Sequence, residues 1–214
     1  MTEFEIVQGM YLWPTPAGAY DAVAGKASDF SRRVILNTLR HKESPALEID
    51  TLMQISGLPA DQALAYLYQM QSLNLVQGLE APRQLPEGNL ETVLPRVLAE
   101  IAGSNRALLA DGQGFYLASH GYHHEAAEEL AALSADISNM HLRHQGLIAG
   151  NLSLRTAAWA LINDGGNSEI GFWPLTVGEH RFVLILNGLP HLNRPATVDL
   201  VWLLVNRYGQ LDIE

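Results

Sequence analysis

Ala107-Leu-Leu-Ala-Asp-Gly-Gln-Gly-Phe-Tyr-Leu-Ala-Ser-His-Gly121, followed after Tyr122-His-His124 by Glu125-Ala-Ala-Glu-Glu-Leu-Ala-Ala-Leu133, is the stretch whose reading decides the fold. From Arg106 to Ser119 it reads as two apolar strands joined at Asp111-Gly112, a dipeptide suited to the positive φ values of a tight hairpin. Both strands are apolar on successive residues rather than alternating, so both faces of their sheet should be covered. A long helix from about His124 to Gln145 follows, with Ala127, Leu130, Leu133, Ile137, Met140 and His144 on one face. Upstream, Leu90, Leu94, Val97, Leu98 and Ile101 form a 3.6-residue stripe over 90–101. Downstream come three expected strands, 156–163, 168–177 and 180–187, separated by Asp164-Gly-Gly-Asn167 and Gly178-Glu179. A last helix over 194–208 should bury Val198, Val201, Trp202 and Val205.

The order helix, two strands, helix, three strands, helix is that of the profilin-like folds. Within them, the hairpin with its Asp-Gly turn, the closing Gly121 and the Ala- and Leu-rich helix resemble the roadblock family of dynein light chains and their prokaryotic relatives. The resemblance covers about residues 88–210, the last three strands and helix by pattern alone. It implies an α+β domain with a five-stranded antiparallel sheet covered by helices. It also implies a non-catalytic dimerising platform, a partner or regulator of Ras-like small GTPases. In such dimers equivalent edge strands pair while the long middle helices pack together. Trp159, Leu161, Leu133, Ile137 and Met140 are therefore the dimer-interface candidates. Independently, Thr156-Ala-Ala-Trp-Ala-Leu-Ile162 is short, apolar and uncharged, a strand that would invite pairing if left at an edge. Pro174 in the next strand cannot donate a ladder hydrogen bond.

The part before residue 88 lies outside that resemblance. Residues 1–26 read as an extended arm, because Pro14 and Pro16 push their predecessors out of helical geometry. Its Trp13 and Tyr20 are expected to dock on the protein's own surface. Residues 27–87 read as a winged-helix-like module. Ser28 or Asp29 caps a first helix carrying Val34, Ile35 and Leu39 to about Lys42. Asp50 caps a second helix carrying Leu52, Met53 and Ile55, which stops at Ser56-Gly57. A third opens at Pro59 or Ala60 and runs to about Asn74, with Leu64, Leu67, Tyr68 and Leu73 on one face. Leu75 to Leu79 is strand-like, and Glu80 to Gly88 has the composition of a domain boundary. The roadblock-like domain then spans 88–214.

Composition narrows the chemistry. The chain has 214 residues, 48% of them hydrophobic, which is enough for a core without staples. It has no cysteine, which removes disulfides, thiolate metal sites and thiol catalysis and fits a cytoplasmic protein. The start, Met-Thr-Glu-Phe-Glu, does not read as a signal peptide, and the longest run free of Asp, Glu, Lys and Arg, 62–79, is too polar to span a bilayer. No phosphate-binding loop, dinucleotide fingerprint or nucleophile elbow occurs, so neither an enzyme nor a cofactor is expected. His123 and His124 sit near one end of the long helix and His141 and His144 near the other, about 25–30 Å away. They cannot share a metal, and none is expected.

DNA binding is the rival reading for the winged-helix-like module, giving a transcriptional regulator with a roadblock-like dimerisation or sensing domain. Its contact candidates are Gln62, Tyr66, Gln69 and Arg83. Charge opposes it. Residues 1–88 hold 6 Lys and Arg against 10 Asp and Glu, and residues 89–214 hold 7 against 13, so neither half is basic. The expected function is a dimeric adaptor, scaffold or regulator with a protein partner.

Overall fold

The computed structural model describes residues 5–24, 30–154, 156–189 and 191–209. The hairpin forms where the sequence places it, from β-strands Ala107–Asp111 and Tyr116–His120. Its turn is longer than the two residues expected. Asp111 Oδ1 accepts from the Gln113 and Phe115 amides at 2.9 and 3.0 Å, and Gly114 takes a φ of +93°. The aspartate side chain replaces the ladder partner that a two-residue turn would have supplied.

In chain order the elements are β1 (Tyr11–Pro14), α1 (Pro16–Val23), α2 (Phe30–Leu39), α3 (Ile49–Ser56), α4 (Ala60–Ser72), β2 (Val76–Leu79) and α5 (Leu90–Ala102). The hairpin strands are β3 and β4. There follow α6 (His124–Arg143), a π-helical turn at Gly146–Asn151, β5 (Trp159–Ile162), β6 (Ser168–Val177), β7 (His180–Asn187) and α7 (Pro195–Tyr208). Five strands make an antiparallel sheet in the order β4-β3-β7-β6-β5. This is the mixed architecture expected from the element order. The fifth strand is shorter than expected and begins only at Trp159.

Alternation sorts the sheet into two faces. Leu108, Ala110, Phe172, Val183 and Ile185 pack under α6 against Ala127 and Ala131. Leu109, Leu175, Phe182 and Leu184 face the other way, into a core shared with α5 and α7. Of the expected stripe on α6, Ala127 is buried and Leu130 and Ile137 pack half-buried against the sheet, while the rest of the buried side is Ala131, Ser134 and Ala135, whose small side chains let the helix approach closely. Leu133 points to solvent. In α7 every residue from Ala196 to Val205 is buried, far more than the four expected. One side meets the sheet and α5, and the N-terminal elements cover the rest.

Those elements differ most from the sequence reading. The arm is not extended throughout. Only β1 is a strand, and Pro16 then starts α1, with the Thr15 hydroxyl accepting from the Gly18 amide at 3.0 Å. Proline suits the first helical turn because its missing N–H is unpaired there anyway. Trp13 does dock on the protein, against Trp202 of α7 at 4.6 Å between ring centroids. Helices α2 to α4 are present, with Gly57 in the left-handed region (φ +70°) closing α3. Ser28 and Asp29 lie outside the described residues. On α4 the buried side is Ala63, Leu67 and Met70, while Tyr68 and Leu73 are exposed. The segment after α4 does not fold back as a wing hairpin with its own return strand. Instead β2 pairs with β1, while 83–85 bonds to 42–44 through Ser44 N–H to Arg83 O and Leu85 N–H to Lys42 O.

Candidate functional site

The sheet ends at β5, and this edge is bare: all four residues of Trp159-Ala-Leu-Ile162 are exposed, with Ile162 at 68%. A strand directly opposite a neighbour presents its side chain on the same face. Trp159 stands opposite Phe172 and Leu161 opposite Ile170, both of which belong to the α6 side. The candidates Trp159, Leu161, Leu133, Ile137 and Met140 therefore lie on one side of the sheet. Leu133 is exposed, and Ile137 and Met140 are half-buried. Trp159 Nε1 donates to Nδ1 of His141 at 3.1 Å, which ties the edge strand to α6.

Past the end of α6 lie further exposed apolar residues that the sequence reading did not single out. Leu147, Leu152 and Leu154 are exposed around the π-helical turn, next to Leu142 at the end of α6. The signal was available: 144–154 carries no charge and four leucines or isoleucines beside two glycines.

The DNA-contact candidates do not converge. Gln62 and Gln69 are exposed on α4. Tyr66 is half-buried, its hydroxyl paired with Ser31 Oγ at 2.9 Å and its ring edge-on to Phe30. Arg83 points inward, its Nη2 donating to both Asp199 oxygens at 3.0 and 3.1 Å and its guanidinium lying over the Trp13 ring at 5.5 Å. Burial pushes the Asp199 carboxyl above the ordinary aspartate range, Arg83 pulls it back, and Glu100 adds to the rise.

Of the histidines, His124 Nδ1 pairs with the Tyr116 hydroxyl at 2.8 Å, and its Nε2 lies 3.6 Å from Glu128. Among the described residues no three ligating side chains gather into a metal site, and no helix is long and apolar enough to cross a membrane.

No protein-family profile matches the chain, and no curated protein matches it. Among solved structures it is similar to a roadblock/LC7 domain from Streptomyces avermitilis at 13% identity, covering 53% of this chain and 91% of that one with a TM-score of 0.33. It is also similar to Myxococcus xanthus MglB at 18% identity, covering 54% and 90% with a TM-score of 0.32. The gliding protein MglB from Thermus thermophilus matches at 20% identity, covering 58% and 91% with a TM-score of 0.33. Likeness at these scores carries no functional inference.

Proposed function

We propose that the chain is a non-catalytic, homodimeric adaptor or regulator that works in the cytoplasm. It is built from a winged-helix-like module at 27–87 and a roadblock-like domain at 88–214. The observation that carries this reading is the bare apolar edge β5, continuous on the α6 side of the sheet with Leu133 and Met140. An uncovered edge strand with apolar neighbours is most simply satisfied by a second copy of itself across a two-fold axis, which extends the sheet and covers both helices at once. Trp159, Leu161, Leu133, Ile137 and Met140 are the interface residues under this proposal.

The partner class follows from the resemblance of 107–133 to roadblock domains: a Ras-like small GTPase, for which this chain supplies no nucleotide-binding loop of its own. Sedimentation velocity across micromolar concentrations should show a dimer, and a monomer throughout would remove the reading. Capture of a small GTPase from native cytosol would support the partner class. The DNA-binding alternative finds no cation on α4, and its candidate Arg83 is occupied by Asp199. Salt-dependent anisotropy with genomic fragments would be needed to revive it.

A further inference from the structure

The sheet-facing side of α6 does not stay on the sheet. Up to Ala135 that side is small and buried; one and two turns on, the same side carries Ser138 and Leu142. Ser138 is only half-buried and Leu142 is exposed, although the helix geometry aims both where Ala131 and Ala135 point; Gln145, just past the end of α6, is exposed as well. Across from them, Pro174, Thr176 and Arg181 occupy the sheet face beyond the end of β5, and none of the three is buried. Between helix and sheet lies an open wedge of about 140 Å³, whose lining includes these six residues, Val183 and His141.

Two features give the wedge a chemistry. Its floor is apolar, and its volume matches the roughly 150 Å³ that holds a benzene ring in an engineered cavity. In a chain of net charge −10, the described residues of its lining include no aspartate or glutamate, and Arg181 is the one lysine or arginine among them, with His141 alongside. Arg181 makes no ion pair among the described residues, and its stem lies against the bare backbone of Gly112 in the hairpin turn. Ser138, Thr176 and Gln145 add hydrogen-bonding groups at the rim. We propose that this wedge is a binding site for a small aromatic carboxylate, its ring on Pro174, Val183 and Leu142 and its anion on Arg181. The site does not depend on a GTPase partner.

The test is a titration of the full chain with benzoate, followed by amide chemical shifts to about 10 mM, with benzyl alcohol and benzylamine as neutral and cationic isosteres. Saturable shifts at Ser138, Leu142 and Thr176 are expected, with benzoate about tenfold tighter than benzyl alcohol. Arg181→Gln, an exposed position that leaves the core untouched, should abolish that preference while benzyl alcohol still binds. Leu142→Trp, which fills the wedge, should remove both. Absence of saturation, equal affinity for benzoate and benzylamine, or shifts confined to other surfaces would overturn the proposal. So would wedge resonances that respond to protein dilution and not to benzoate, which would make the wedge a subunit contact.

Discussion

Asp199 sits among apolar neighbours in α7 and is 8% exposed, so its charge is supported by one side chain, that of Arg83. Replacing Arg83 with Met strands the carboxylate. The expected cost at neutral pH is about 2–3 kcal/mol, below the range for fully buried pairs because Arg83 is itself over a third exposed. The sign with pH is set by the raised folded pKa. Asp199's contribution is full below the unfolded aspartate value of about 3.9 and is lost as pH rises through the folded value. Loss of Arg83 raises that folded value further, so urea titrations should show wild type and Arg83→Met converging as pH falls toward 4. Neither residue could be paired from the sequence, since 116 positions separate them and no local pattern links them. Gly18 illustrates the same limit. A Cβ there would collide with the Leu75 carbonyl, so Gly18→Ala should destabilise by about 1–3 kcal/mol in thermal melts, against the usual gain for that change in a helix.

Element existence was legible wherever one local signal ruled. The hairpin, α5, α7 and the Gly57 stop needed only periodicity and a turn residue, and they formed. What failed was the choice of face and of partner. On α6 the leucines look like the core stripe, yet close approach to Leu108 and Ala110 selects the alanines and leaves Leu133 outside. Helix α1 was hidden because Pro14 and Pro16 read as breakers, although Thr15 followed by proline is also a start signal. Pro174 is tolerated within β6 because β5 pairs only with residues up to Phe172, so no ladder bond is missing on that side. The exposed β5 carries the element-scale prediction. Leu161→Arg should weaken self-association about tenfold or more in sedimentation equilibrium, while circular dichroism stays that of the folded chain. A monomeric wild type with unchanged Leu161→Arg would sink the interface assigned to this strand.

At the scale of the whole molecule, a single apolar cluster runs from Leu12 through α2, α5 and α7 to Val205, on both sides of the boundary composition at 80–88. Trp13 lies at its centre, edge-on to Trp202, whose indole N–H donates to the His41 carbonyl at 2.8 Å, and Asn206 caps the Leu39 carbonyl at 2.7 Å. These contacts join residues up to 167 positions apart, which is why local reading found the elements but not their packing. Trp13→Ala should cost about 3–5 kcal/mol and lower the stability of the N-terminal helices and of the five-stranded sheet in one cooperative urea transition; two separate transitions would contradict a shared core. The all-round burial of α7 also bears on the molecule's internal clock. Amides from Val198 to Val205 have no partial opening that spares the rest of the fold, so their hydrogen exchange should run only through complete unfolding. The slowest protons in the protein would then belong to the helix on which α1, α2, α5 and the sheet all pack, and their rate would report the stability of the entire fold.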